Sequence, residues 1–243
     1  MRVDQSTWFE VESYLKHSQG IIIPTGSTEQ HGPIGLIGTD ALCAEKIAEK
    51  ASEHVSVLIA PTLAYTPAPF NTLFPGTISV SAPLFERLVD EILQQLSAQG
   101  FQKIYFLNGH GANIEPLKRC AARLETSEVR VRSWWDFAEV NTLRQQYYAD
   151  WEGMHATPSE IAITQFTHRV IEHSSAEQPP EKLTPDYIKT HSGDKHGPPD
   201  EHRQQFPDGR VGSHSALARP EHGGALLETA GRAVADDFGG FII

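Results

Sequence analysis

The segment PTGSTEQHGPIGLIGTD, residues 24–40, carries an acid, an imidazole and a second acid at Glu29, His31 and Asp40. It is too rich in glycine and proline to form a helix or a central strand, so we expect a loop. On an extended segment, residues two apart point to the same side, so Glu29 and His31 can serve neighbouring ions. Carboxylate oxygens and imidazole nitrogens are donors that Zn²⁺, Mn²⁺ or Fe²⁺ prefer. The segment therefore indicates a metal site.

Two later segments bring the same donor types. NGHGAN at 108–113 contains His110, and HATPSE at 155–160 contains His155 and Glu160. We expect each in a loop or at an element end, where acids and imidazoles can converge without being buried unpaired. Taken singly, each residue also has a structural explanation: a hydrogen-bonded histidine, a turn, or, for Asp40, a helix N-cap.

Apolar runs alternate with helical patterns through the first 140 residues. We predict strands over 20–26, 55–61, 103–109 and 129–137, and helices over 40–54, 81–100 and 114–127. In the second helix, one apolar face comprises Leu84, Leu88, Ile92 and Leu96. Continuous apolar strands separated by helices are typical of a parallel sheet covered on both faces, which predicts an α/β fold. Ligands of such sheets bind beyond the carboxyl ends of the strands, where two of the polar segments fall.

The rest of the chain predicts no second domain. We expect one domain over 1–243, with a Pro- and His-rich excursion over about 174–219 and a closing helix over 221–238. The excursion has almost no periodicity, so we interpret it as a solvated loop, with a lid over the site as the alternative. Its histidines include His191, His196, His202 and His214.

Composition excludes several classes of protein. The formal net charge of -11 argues against binding to nucleic acid or an anionic membrane. The two cysteines make no disulfide framework, and no segment has the apolar length of a signal peptide or a membrane span. We therefore expect a cytoplasmic protein with a small-molecule substrate.

Together the motifs are specific. PTGSTEQHG with GTD, FPGT at 74–77, GFQKIYFLNGHGAN and HATPSE resemble, in order and spacing, the creatininase (creatinine amidohydrolase) family. The resemblance covers about residues 18–170, and the chain from Gly209 onward resembles the closing segment of the family. It implies a three-layer α/β sandwich with a mostly parallel central sheet, and a centre of two divalent ions, with Zn²⁺ preferred over Mn²⁺ or Fe²⁺. It also implies a homo-oligomer, a hexamer or a smaller multiple.

The resemblance also implies a role for each candidate residue. One ion would be held by Glu29, Asp40 and His110, and the other by His31, Asp40 and Glu160, with Asp40 bridging. In creatininase a glutamate follows the NGH motif, but Ala112 stands here, so Glu160 is assigned as the remaining ligand. His155 would donate a proton to the leaving nitrogen; its alternative is a structural residue that hydrogen-bonds a ligand.

The implied activity is metal-dependent hydrolysis of a C–N bond in a small cyclic amide or formamide, by a water that two metals activate. The alternatives are hydrolysis of a lactone or cyclic ketone, and an inactive metal-containing binding protein. Substitutions relative to the family are expected near the pocket mouth, at Ile34, Gly35, Leu36 and Asn71. Aromatic side chains that can stack on a flat ring, or pack in the core or a subunit contact, are Trp134, Trp135 and Trp151.

Overall fold

A parallel sheet forms the centre of the fold. The structure, a computed structural model, describes residues 1–193 and 195–243. Its strands are β1 Gly20–Thr25, β2 Leu58–Ile59, β3 Lys103–Asn108 and β4 Glu128–Ser133. They lie in the order β2-β1-β3-β4, and every pair is parallel. All six residues of β1 are buried, which explains why its sequence is continuously apolar and not alternating.

Helices cover both faces of this sheet, which confirms the α/β sandwich. In the described residues they are α1 Trp8–Leu15, α2 Thr39–Ala51, α3 Ala82–Ala98, α4 Ile114–Arg123, α5 Ala138–Tyr148, α6 Pro158–Thr167, α7 Pro185–His191, α8 Pro199–Gln205 and α9 Pro220–Phe241. Because side chains alternate along a strand, Ile22 packs into one core with α2, α6 and α9. Ile21 and Ile23 pack into a second core with α3 and α4.

Helix α3 turns a different face inward from the one its leucines indicate. The buried residues are Phe85, Val89 and Leu93, whereas Leu84 and Leu88 are 48% and 44% exposed. The phenylalanine and valine recur at the same spacing as the leucines, one position further on. The helix thus has two apolar stripes, and the one that carries the aromatic ring of Phe85 packs against the sheet.

Two predicted strands are shorter than expected. Only Leu58–Ile59 pairs with β1 in the region predicted as a strand over 55–61. β4 stops at Ser133 because Trp134–Asp136 forms a 3-10 turn, closed by a capping box between Ser133 and Asp136.

The excursion is more structured than a solvated loop. It contains α7 and α8, and both His196 and His202 are buried, at 7% and 1% exposure. Their rings contact Phe70 with centroid separations of 4.8 and 5.0 Å. The interpretation as a solvated loop is therefore wrong for these two histidines. Within the described part of the chain, no helix is long and apolar enough to cross a membrane.

Candidate metal centre

The candidate residues lie where two central strands end against one helix. Glu29 and His31 follow β1, His110 follows β3, and Asp40 lies in the first turn of α2. Gly26 and Gly109 allow this approach, because a Cβ would lie 2.2 Å from the backbone nitrogen of Ala41 at the first and 2.4 Å from the carbonyl oxygen of Asp40 at the second. Gly38, not Asp40, is the N-cap of α2, so the interpretation of Asp40 as a cap is wrong.

Asp40 presents its two carboxylate oxygens to two different imidazoles. Its Oδ1 lies 2.8 Å from Nε2 of His31, and its Oδ2 lies 2.9 Å from Nδ1 of His110. The hydroxyl of Ser27 also donates to Oδ2 at 2.8 Å. A carboxylate whose oxygens face two separate imidazoles would be placed to bridge two ions if both were bound.

Three histidines are oriented by backbone carbonyls. The contacts are His31 Nδ1 to Glu29 O at 3.0 Å, His110 Nε2 to Pro67 O at 2.8 Å, and His155 Nε2 to Gln30 O at 2.7 Å. A carbonyl oxygen can only accept, so Nδ1 of His31 and Nε2 of His110 carry the proton in these contacts. Nε2 of His155 also lies 3.0 Å from the side-chain amide nitrogen of Gln30 and 3.2 Å from that of Asn71, so its carbonyl contact alone does not assign the proton. The opposite nitrogen of each ring faces the carboxylates, where a metal ion would bind.

Glu29 is held by a buried amide. Its Oε2 accepts a hydrogen bond of 2.9 Å from Nδ2 of Asn71, and its Oε1 lies 3.1 Å from Nδ1 of His110 and 3.6 Å from Nδ1 of His155. Asn71 is 0% exposed. The expectation that Asn71 lies near the pocket mouth is therefore wrong, because it contacts a candidate ligand directly. Ile34 likewise packs into the core.

Glu160 is fixed by the start of its own helix. It occupies the third position of α6, and the Thr157 backbone N–H donates to its Oε1 within a capping box. That oxygen lies 3.8 Å from Nε2 of His31. Burial raises the pKa of Glu160 to about 8; the nearby charge of Asp40 raises it too, against the opposing effect of His31.

The remaining pKa shifts describe a cluster of mutually compensating charges. Burial lowers the pKa of His31, but Asp40 and the other carboxylates outweigh this and raise it to about 10. Burial also opposes the charged form of His110, but Glu29 and Asp40 raise its pKa well above the usual value for histidine. Burial opposes the charged form of Asp40 as well, but His31 and His110 hold its pKa well below the usual value for aspartate. Three carboxylates at most 7% exposed need positive charge beside them, which two divalent ions would supply in place of protons. The donor set therefore fits such a centre.

Ligand atoms from three sets of residues lie within 4.8 Å of one another. The sets are Glu29–Asp40–His110, His31–Asp40–Glu160 and Glu29–His31–His155. The first two coincide with the two sets assigned from the sequence. The third brings His155 within reach of the same place, so the geometry permits either a proton-transfer or a ligand role for it.

One cavity opens onto these residues. Its volume is about 320 Å³, and its wall includes Asp40, His110, His155, Glu160, Trp134, Trp135 and Arg144. Trp134 and Trp135 can thus contact a substrate, whereas Trp151 packs against His214 and Lys182. The sequence did not identify Arg144, because a single arginine in a helix belongs to no recognisable motif.

An α/β sandwich with buried carboxylates and imidazoles beyond its strand ends is an arrangement that suits a hydrolase with a metal-activated water. A family model described as "Creatininase: Creatinine amidohydrolase" matches residues 4–238. The chain belongs to the creatininase family and is an amidohydrolase.

Relatives of known activity match to different extents. Creatinine amidohydrolase of Pseudomonas putida is 24% identical over 209 residues, 75% of this chain and 80% of that protein. Mycofactocin precursor peptide peptidase of Mycolicibacterium smegmatis is 34% identical over 110 residues, 43% of this chain and 44% of that one. 3-Dehydro-scyllo-inosose hydrolase of Thermotoga maritima is 32% identical over 106 residues, 43% of this chain and 34% of that one.

Solved structures show the same fold. A crystal structure of creatinine amidohydrolase superposes with a TM-score of 0.76 at 23% identity, covering 99% of this chain and 97% of the other. A creatininase structure described as the Mn form has a TM-score of 0.75, and a mutant described as the Zn-Zn type has 0.74. Each of these two is 23% identical and covers 99% of this chain and 98% of the other.

Proposed function

We propose that this amidohydrolase holds two divalent ions and cleaves a C–N bond in a small cyclic amide or formamide. The observation that carries the proposal is Asp40, whose two oxygens face His31 and His110 at 2.8 and 2.9 Å. Two bound ions would activate a shared water and polarise the carbonyl that it attacks. Zn²⁺ is our first choice and Mn²⁺ our second, which the names of the Zn-Zn and Mn creatininase structures support.

The protein side chains divide the work around those ions. Glu29, Asp40 and His110 would hold one, and His31, Asp40 and Glu160 the other. With Nε2 of His155 donating to Gln30 O, Nδ1 on the side of Glu29 would receive a proton and deliver it to the leaving nitrogen. Trp134 and Trp135 supply flat apolar walls for a small ring.

Metal analysis tests the proposal. Protein purified without chelator should contain one or two divalent ions per chain, and removing them should lower the melting temperature, because bound metal contributes to the free energy of folding. Protein that binds no ion, and gains no thermal stability from added Zn²⁺, Mn²⁺ or Fe²⁺, would disprove the proposal. A creatinine, cyclic-amide and N-formyl panel then measures turnover.

A second candidate activity is hydrolysis of a cyclic ketone. The similarity to 3-dehydro-scyllo-inosose hydrolase favours it, because that name describes hydrolysis of a cyclic ketone. The panel should therefore include lactones and cyclic ketones. Turnover of a ketone but of no amide would select this candidate, and turnover of neither by metal-loaded protein would favour a binding protein.

We also propose that the chain self-associates. Support comes from exposed aromatic side chains, since Trp8 and Phe9 are 66% and 64% exposed and their rings stack at 3.6 Å. Exposed apolar patches of this kind are typical of protein contacts.

A further inference from the structure

Arg144 brings a cationic group to the wall of the cavity that holds the candidate metal ligands. It lies on α5, outside every motif described above, and its side chain is 18% exposed. The same cavity wall includes Asp40, His110 and Glu160. A substrate that reaches the metal centre is therefore confined beside a guanidinium.

The guanidinium is held in place from three sides. Its Nε donates to Oε1 of Glu152 at 3.0 Å, and its Nη1 donates to Oδ1 of Asn141 at 2.7 Å. Its central carbon lies 5.6 Å from the ring centroid of Trp134. Glu152 is itself fixed by a short hydrogen bond from the hydroxyl of Ser159, one residue before Glu160. These contacts fix the orientation of Arg144 before any ligand arrives.

Most of the hydrogen-bonding capacity of Arg144 is unused. A guanidinium has five N–H donors, and Glu152 and Asn141 accept from one each. Within residues 1–193 and 195–243, Nη2 donates no hydrogen bond. Such an arrangement suits a ligand that accepts from the end of the guanidinium.

We propose that Arg144 binds a carboxylate of the substrate, so that the enzyme acts on small amides that carry a carboxylate group. This inference rests on the proposed amide hydrolysis at the metal centre. The planar end of a guanidinium matches the two oxygens of a carboxylate. Glu152 already offsets part of the positive charge, which favours a singly charged carboxylate over a doubly charged phosphate. The ions would take the amide carbonyl, and Arg144 would select and orient the other end of the molecule.

Paired ligands test this assignment. N-acetylglycine carries an amide and a carboxylate, and N-acetylglycinamide is its neutral counterpart. Binding of both to metal-loaded protein would be measured by calorimetry for wild type, Arg144→Gln, Arg144→Lys and Arg119→Gln. Arg119 is the matched control, an exposed arginine whose Nε also donates to a glutamate, Glu86, on the other face of the sheet.

Wild type should prefer the carboxylate ligand, and Arg144→Gln should weaken its binding about 10- to 100-fold while changing that of the neutral ligand little, as expected for loss of a charge-assisted hydrogen bond. Arg144→Lys keeps the charge and loses the fork, so it should retain only part of the preference. Arg119→Gln should behave as wild type.

Three results would overturn the inference. They are equal binding of the two ligands by wild type, a preference that survives in Arg144→Gln, and a preference that Arg144→Lys keeps in full. The second would mean that the carboxylate binds the ions or another cation, and the third that the two-pronged geometry of the guanidinium, on which the choice of a carboxylate rests, is not used. Metal content measured on the same samples separates the two proposals: ions absent from every sample refute the metal centre, whereas normal metal content without an Arg144-dependent preference refutes only the role of Arg144. If Arg144→Gln does not fold, the Arg144→Lys result decides.

Discussion

At the scale of single residues, the three histidines of the centre each place one ring nitrogen beside a backbone carbonyl oxygen. They differ in the distance from the other ring nitrogen to a carboxylate. His31 and His110 each approach an oxygen of Asp40 within 3 Å, whereas Nδ1 of His155 lies 3.6 Å from Oε1 of Glu29. The looser contact favours a group that exchanges a proton over one that holds an ion. Substitution can separate the two roles.

We expect His155→Ala to leave the metal content near normal and to lower kcat by about 100- to 10,000-fold, the usual effect of losing a general acid or base. Asp40→Ala should instead empty or halve the metal content and lower the melting temperature, because both ions lose the bridging ligand. Elemental analysis and thermal unfolding of both variants distinguish these outcomes. If His155→Ala loses metal as Asp40→Ala does, His155 is a ligand and the assignment of Glu160 must be withdrawn.

Residue types with strong chemistry could be recognised from the sequence, and their supporting partners could not. Glu29, His31 and His110 stand in motifs whose spacing is visible in the chain. Asn71 and Arg144 have no such signal, because an amide or a cation is common on any surface. Their roles follow from a hydrogen bond to Glu29 and from a position in the cavity wall, both of which depend on tertiary contacts.

At the scale of elements, the start of α6 couples helix stability to the metal centre. Thr157 is its N-cap and receives the backbone N–H of Glu160, while the Glu160 side chain accepts the backbone N–H of Thr157. The capping box thus uses one oxygen of the same carboxylate that is proposed to bind an ion. Loss of the cap should therefore disturb the site as well as the helix.

We expect Thr157→Ala to lower the free energy of unfolding by about 0.5–2 kcal/mol and to weaken the binding of one of the two ions. Thr7→Ala is the matched control, because Thr7 and Glu10 form the same capping box at the exposed start of α1. Chemical denaturation and metal titration would be performed on both. Equal metal binding by the two variants would argue against a coupling between this cap and the metal centre.

The elements also show where periodicity stops being informative. The alternation of strands and helices could be predicted, because each apolar run is long enough to be distinguished from a turn. The inward face of α3 could not, since Leu84 and Leu88 form as regular a stripe as Phe85 and Val89. The burial of His196 and His202 in the excursion could not be predicted for a related reason. Both rings contact Phe70, which lies more than 100 residues earlier in the chain.

At the scale of the whole molecule, the aromatic run SWWDF at residues 133–137 offers little outer surface for a subunit contact. Trp134 is 1% exposed and packs in the core, and Trp135 is only partly exposed. The stacked pair of Trp8 and Phe9 on α1 is the more exposed aromatic feature. A contact between subunits is therefore better placed at α1.

We expect the wild-type protein to sediment as a multimer at micromolar concentration, and the double variant Trp8→Ser, Phe9→Ser to form smaller species. The physical reason is that burying two large aromatic side chains in a contact removes apolar surface from water, and two serines would not provide this stabilisation. Tyr65→Ser, at a residue 59% exposed elsewhere on the surface, serves as the control and should leave the assembly intact. A wild-type protein that sediments only as a monomer would contradict self-association itself. A multimer that withstands the double variant would contradict the placement of the contact at α1 and leave the exposed leucines of α3 as the surface to test next.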